Sequence, residues 1–202
     1  MNLYFIGASV AITLAPGPDN IFVTTLGITR GRKPAIITAL GMCCGISVHT
    51  TAAALGISAV FHSSAAAFQI VKFIGAAYLL YLAYKTLKDR SIIRLSTADN
   101  TTAAALFRRG FIMNVLNPKV ALFFLAFLPQ FVVPDSVPIS LQMLLLGGIF
   151  MAQAAVIFCL IGYFSGSIGN VMIRSPRIAD GFNWLTAGVF ISLGIRLALT
   201  TR

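Results

Sequence analysis

The chain has 202 residues, of which 58% are apolar and only 10% charged, and its mean hydropathy is +0.91. Soluble domains carry about 25% charged residues, and one of this size cannot hide so much apolar surface, because only its interior is dry. The net charge of +10 comes from fifteen Lys and Arg against five acids, all Asp; the bases cluster in short segments between apolar runs, which fits membrane loops and argues against a nucleic-acid partner.

A helix of about 20 mostly apolar residues crosses a bilayer. Six such segments are predicted, over residues 3–28, 36–60, 66–87, 108–131, 139–167 and 179–199. The first has no basic segment ahead of it and its first charge is Asp19, so it reads as a span rather than a cleaved signal. Near its centre stands Ala15-Pro16-Gly17-Pro18-Asp19-Asn20. Two prolines around a glycine stop a helix, while a proline at the first position and an acid in the first turn restart one. Irregular backbone at membrane depth is tolerated only where it is buried in protein or lines a cavity.

The connection after span one is basic, with Arg30, Arg32 and Lys33. Span two carries His49 and the close-packing pattern Gly41-Met42-Cys43-Cys44-Gly45. The next connection, around His62, Ser63 and Ser64, is uncharged. Span three is bracketed by Lys72 and Lys85, and Lys72 falls on the side that should lack bases. The polar connection 88–107, with Lys88, Asp89, Arg90 and Arg94, divides the chain and ends at Arg108 and Arg109.

Span four contains Asn114-Val115-Leu116-Asn117-Pro118-Lys119. Asn followed by Pro is an N-cap and a first helical residue, so this too predicts a restart at depth. Span five carries Gln153. The connection between spans four and five holds Asp135 between Pro134 and Pro138, and the last connection holds Arg174, Arg177 and Asp180. Trp184, Tyr81 and Tyr84 are candidate interfacial anchors. The basic connections alternate, which places both termini in the periplasm and three loops in the cytoplasm.

A shift of 100 residues superposes Gly17-Pro18-Asp19 on Asn117-Pro118-Lys119. Three spans per half is an odd number, so the second half must be inverted. The expected fold is an all-α integral membrane protein of about six transmembrane helices in two inverted three-helix repeats. The chain is one domain over 1–202, with repeat one over about 1–90 and repeat two over about 108–202. Paired helix breaks in corresponding places of two halves point to a transporter binding site. Asp19 and Lys119 are expected near each other as opposite charges, able to receive the ammonium and carboxylate groups of a zwitterion. The candidate binding residues are Pro16, Gly17, Pro18, Asp19, Asn20, His49, Asn114, Asn117, Pro118, Lys119 and Gln153.

Cys43, Cys44 and Cys159 lie in apolar runs without metal-ligand spacing. There is no HExxH, GxxxxGK[ST] or GxSxG motif. The chain therefore reads as a non-enzyme without cofactor, driven by an ion or substrate gradient. The rival reading is a membrane thiol-redox or heavy-metal efflux protein built on the cysteines and His49.

Pro16-Gly17-Pro18-Asp19-Asn20, Gly31-Arg32-Lys33, Phe73-Ile74-Gly75-Ala76-Ala77-Tyr78-Leu79, and Phe107-Arg108-Arg109-Gly110-Phe111 running into Asn117-Pro118-Lys119 resemble the lysine exporter and homoserine/threonine exporter family of amino-acid efflux permeases. The resemblance covers nearly the whole chain. It implies a bacterial inner-membrane permease that exports amino acids by proton antiport, with the lipid bilayer and a small-molecule substrate as partners. A homodimer is compatible with it. The family's two proline motifs fall on Pro16-Gly17-Pro18 and Asn117-Pro118-Lys119.

Overall fold

The computed structural model describes residues 3–63, 65–88, 102–133 and 137–199, and every regular element among them is helical. The first predicted span is divided into α1 (Leu3–Leu14) and α2 (Pro18–Arg30). Then come α3 (Arg32–Ser63), α4 (Ala65–Lys88), α5 (Ala103–Val115) and α6 (Pro118–Leu122). The chain continues from α6 through a π-helical stretch, Phe123–Phe127, and a 3-10 turn, Leu128–Phe131, to α7 (Ile139–Arg174) and α8 (Pro176–Leu199).

Both expected helix breaks are present, and each restarts on a proline. Pro18 opens α2 and Pro118 opens α6. The two restarts are capped differently. Asn117 caps α6 by accepting the Lys119 amide at 3.0 Å, whereas the α2 N-terminus has only Gly17, without a side-chain cap. Between α2 and α3 the chain turns on the single residue Gly31, at φ +89°, a left-handed conformation suited to glycine.

α3 lies along α7 on one side and along α5 on another, α2 packs on both α3 and α7, and α4 pairs with α8. The glycine spacing read from the sequence is used in the α3–α5 seam. Gly41 meets the Phe107 carbonyl, Gly110 meets the Thr38 carbonyl, and a Cβ at Gly45 would lie 2.9 Å from the Phe111 carbonyl oxygen. The π-helical stretch fills the core with rings: Phe123 and Phe124 stand with centroids 5.0 and 5.2 Å from that of Phe150.

Two helical stretches, Arg32–Gly56 and Ile139–Ser165, are long and apolar enough to cross a membrane alone. A third is the pair Ala103–Val115 and Pro118–Phe131, bent by 46° at its break. Leu3–Leu14 and Asn183–Leu199 are shorter apolar helices. Large side chains such as Phe73 and Ile74 of α4, Val156 and Leu160 of α7, and Leu185 and Ile195 of α8 face outward, an apolar coat suited to lipid. Tyr81, Tyr84 and Trp184 are exposed as well, and the Lys88 ammonium sits 5.5 Å over the Tyr84 ring. Lys72 is buried, its ammonium 4.6 Å from the Phe73 ring centroid. Residues 89–101, with Asp89, Arg90 and Arg94, lie outside the described residues, as do Ser64, Pro134 and Asp135 and the side chains of His62, Arg174 and Arg177.

Candidate functional site

Breaking a helix inside a hydrophobic protein frees carbonyls that must find donors. At the end of α1 the freed oxygens are those of Thr13, Leu14 and Ala15. Asn20, in the first turn of α2, folds back and donates its amide to the Thr13 carbonyl at 2.9 Å and to the Leu14 carbonyl at 3.5 Å. The Ala15 carbonyl receives the Lys119 ammonium, which reaches across from α6 at 3.0 Å. A Cβ at Gly17 would lie 3.0 Å from that ammonium nitrogen. Glycine is thus needed here for space; its φ of −168° is ordinary extended backbone.

Asp19 is fully buried and accepts the side-chain amide of Asn114, on α5, at 3.0 Å. This contact ties the first break to the second, because Asn114 lies one turn before Pro118. His49 of α3 supports Asn114 from the other side, its Nε2 3.0 Å from the Asn114 carbonyl oxygen. A carbonyl only accepts, so Nε2 carries the proton. Gln153 of α7 donates to the Thr13 hydroxyl at 2.9 Å and to the Ser9 carbonyl at 3.3 Å, holding α1 against α7.

Asp19 and Lys119 line one small cavity together with Thr13, Asn114, Ile12, Ile46, Val120 and the rings of Phe123, Phe150 and Phe158. They do not form the ion pair that opposite charges at equivalent positions suggest. Asp19 Oδ2 is taken by Asn114, and Lys119 is drawn to the Ala15 carbonyl. Several buried polar atoms stay without a hydrogen-bond partner, among them Asp19 Oδ1, Asn114 Oδ1, Asn117 Nδ2 and Gln153 Oε1. Lys119 has three donors and uses one. The site therefore offers an acceptor for a cationic group from Asp19, and uncapped amides for an anionic one at the α2 N-terminus. The cavity itself is about 10 Å³, room for one water molecule, so an organic ligand enters only when the helices part.

Of the sequence candidates, the structure brings Asp19, Asn114 and Lys119 to the cavity wall. Pro16, Gly17, Pro18 and Pro118 shape the breaks, Asn117 caps α6, and Asn20, His49 and Gln153 brace the surrounding backbone. Sequence reasoning missed Thr13 and the apolar walls. Phe123 was within reach, lying one helical turn after Lys119 on the same face; Phe150 and Phe158 come from α7, and no local spacing announces them. Cys43, Cys44 and Cys159 are free thiols, and among the described residues no group of three His, Cys, Asp or Glu could hold a metal ion.

Above and below the cavity the broken helices meet differently. α1 closes on the 3-10 turn through aromatic rings: Phe131 stacks on Tyr4 with centroids 5.8 Å apart and meets Phe5 edge-on at 5.1 Å. The Arg196 guanidinium of α8 caps Tyr4 at 3.3 Å. At the other end α2 and α5 touch where the Arg109 guanidinium lies 4.5 Å over the Phe22 ring.

Two broken helices in an all-helical, apolar chain, with charged residues buried at the breaks, define a membrane-embedded translocator. The chain belongs to the LysE type translocator family, whose model matches residues 10–201. It is 32% identical over 201 residues to an uncharacterized membrane protein of Vibrio cholerae, covering 97% of this chain and 95% of that one. It is 29% identical over 191 residues to the homoserine/homoserine lactone efflux protein of Salmonella typhimurium, covering 94% and 92% of the two chains. The protein of the same description from Salmonella typhi gives the same identity and coverage. No solved structure matches the chain.

Proposed function

We propose that this protein is a secondary exporter of amino acids across the bacterial inner membrane. The observation that carries the reading is the buried pair Asp19 and Lys119, set on two helix breaks around one cavity. The substrate ammonium would bind Asp19 Oδ1, and the carboxylate would bind the uncapped amides at the start of α2. The homoserine efflux named for the Salmonella relatives fits, since homoserine carries both groups and a short neutral side chain. The apolar walls and the Thr13 hydroxyl suit such a side chain. Coupling is by proton antiport, and transport proceeds by alternating access. The test is an efflux screen in which cells making the protein are loaded with each amino acid, or its dipeptide, and external release is followed. At least one amino acid is expected to leave faster and to lose its toxicity in excess. Failure of all of them, with membrane expression confirmed, would overturn the substrate class.

The architecture proposed with this function is six spans in two inverted three-helix repeats, with α1–α2 equivalent to α5–α6, α3 to α7 and α4 to α8. Two features support it: α3 packs on α7 and α4 on α8, as related pairs should across a shared axis, and both breaks restart on proline. Both termini then face the periplasm. Alkaline phosphatase fused after Arg202 is expected to be strongly active and green fluorescent protein at the same place dark. The reverse pattern would sink the six-span orientation.

A further inference from the structure

We infer that Lys119 is a tethered cation: its ammonium holds the cation-binding side of the empty site and gives way when a substrate ammonium arrives. The inference rests on the amino-acid export reading and adds to it a role for Lys119 other than receiving a carboxylate.

The ammonium of Lys119 points at a carbonyl. It is 3.0 Å from the oxygen of Ala15, at the C-terminal end of α1, where the peptide dipoles place partial negative charge. Unwound carbonyls and half-helix C-termini are where transporters coordinate cations. The ammonium also fills the space over Gly17, since a Cβ there would lie 3.0 Å from it. Across the same cavity stands Asp19 Oδ1, buried and without a hydrogen-bond partner. The Ala15 carbonyl thus holds the protein's own primary ammonium group, on the wall of the cavity that Asp19 also lines. A substrate ammonium has the same chemistry and needs the same acceptors.

An exporter that has released its cargo must return its site without substrate. During that return a lone Asp19 carboxylate would be an uncompensated charge at membrane depth, which is strongly disfavoured. Lys119 supplies the compensating charge without leaving the protein. When substrate is bound, the zwitterion supplies its own ammonium, and Lys119 is no longer needed at that place. The role is therefore specific to the empty carrier, and it separates two kinds of transport. Net efflux requires the empty return, whereas exchange of internal for external amino acid does not.

The test uses the full-length protein in proteoliposomes, with homoserine and the standard amino acids each tried in turn as the labelled probe. In Lys119→Met, exchange is expected to stay within about threefold of wild type while net efflux falls by about tenfold or more. Equal losses in both assays, from protein that remains monodisperse, would make Lys119 an ordinary substrate-binding group and overturn the inference. Unchanged net efflux would overturn it equally. Should Lys119→Met fail to fold, Lys119→Gln decides: it removes the charge while keeping a neutral donor and is expected to give the same split, and an equal loss or no loss refutes the role. A wild-type protein that exchanges none of the probes would instead refute the export reading itself.

Discussion

Asp19→Asn is expected to lower amino-acid efflux by roughly ten- to a hundredfold, because a hydrogen bond to a charged group is worth about 1.5–3 kcal/mol and every 1.4 kcal/mol is a factor of about ten. The substitution is nearly isosteric, and the new side-chain carbonyl still accepts the Asn114 amide that Asp19 Oδ2 accepts at 3.0 Å. The contact between the two breaks therefore survives. What is lost is the charge facing the cavity and the free acceptor Oδ1. The loss should appear mainly as weaker binding of the exported amino acid. A second consequence is structural. Lys119 becomes the only charge on the cavity wall, and a buried charge left without compensation costs more than the removal of both partners. The single variant should thus melt earlier in detergent, and Asp19→Asn combined with Lys119→Met should recover part of the melting temperature without recovering efflux. A double-mutant cycle on both readouts measures the coupling. Wild-type efflux from the single variant would remove Asp19 from the transport mechanism. Strictly additive melting shifts would mean that the two charges do not sense each other across the cavity.

The helix breaks were legible because proline acts locally. Pro18 and Pro118 each lack the amide that the preceding turn needs, and nothing distant can restore it. The partner of Lys119 was not legible in the same way. A repeat offset puts Asp19 and Lys119 at equivalent positions, but whether they touch depends on how α2 and α6 slide past one another, to within a few ångströms. The structure sets that offset so that Asn114 takes the carboxylate and the Ala15 carbonyl takes the ammonium. Asn20 illustrates a related limit. It sits beside Asp19 in the restart motif and reads as a ligand, yet its amide is spent on the backbone that the break exposes. The π-helical stretch after α6 has no signal in the run Phe123–Phe127, where one added residue per turn changes which rings reach Phe150. Long interior helices differ little from their sequence expectations: α3 and α7 extend the predicted spans by a few residues at their ends, where Arg32 and Lys33 are exposed.

The α3–α5 seam should tolerate no side chain beyond hydrogen at Gly41 or Gly110. The sequence showed close-packing spacing at Gly41 and Gly45 but gave no partner, and it did not single out Gly110. Their partner is α5, and the contact is reciprocal: a Cβ on Gly41 would run into the Phe107 carbonyl, and a Cβ on Gly110 into the Thr38 carbonyl, with Met42 N 3.1 Å away. In each case the obstacle is helix backbone, which cannot swing aside as a side chain can. Without a hydrophobic force between helices in lipid, association relies on such close approach, so forcing the seam open loses contacts along its whole length. Overpacking of this kind costs about 1–3 kcal/mol, and in a chain of this size each kcal/mol moves the melting temperature by about 2–4 °C. Gly41→Ala and Gly110→Ala are therefore each expected to melt roughly 5–10 °C below wild type in detergent. The effect should reach the site as well, because Asn114, which holds Asp19, sits one turn beyond Gly110 on the same helix, and a Cβ on Gly45 would lie 3.0 Å from its side chain. Gly188→Ala on α8 is the control: its Cβ would meet nothing within 4 Å. It should leave both melting and efflux where they are. If Gly110→Ala melts with the control, the two helices are not in backbone contact in the membrane, and the seam that fixes Asn114 beside Asp19 has been drawn too close.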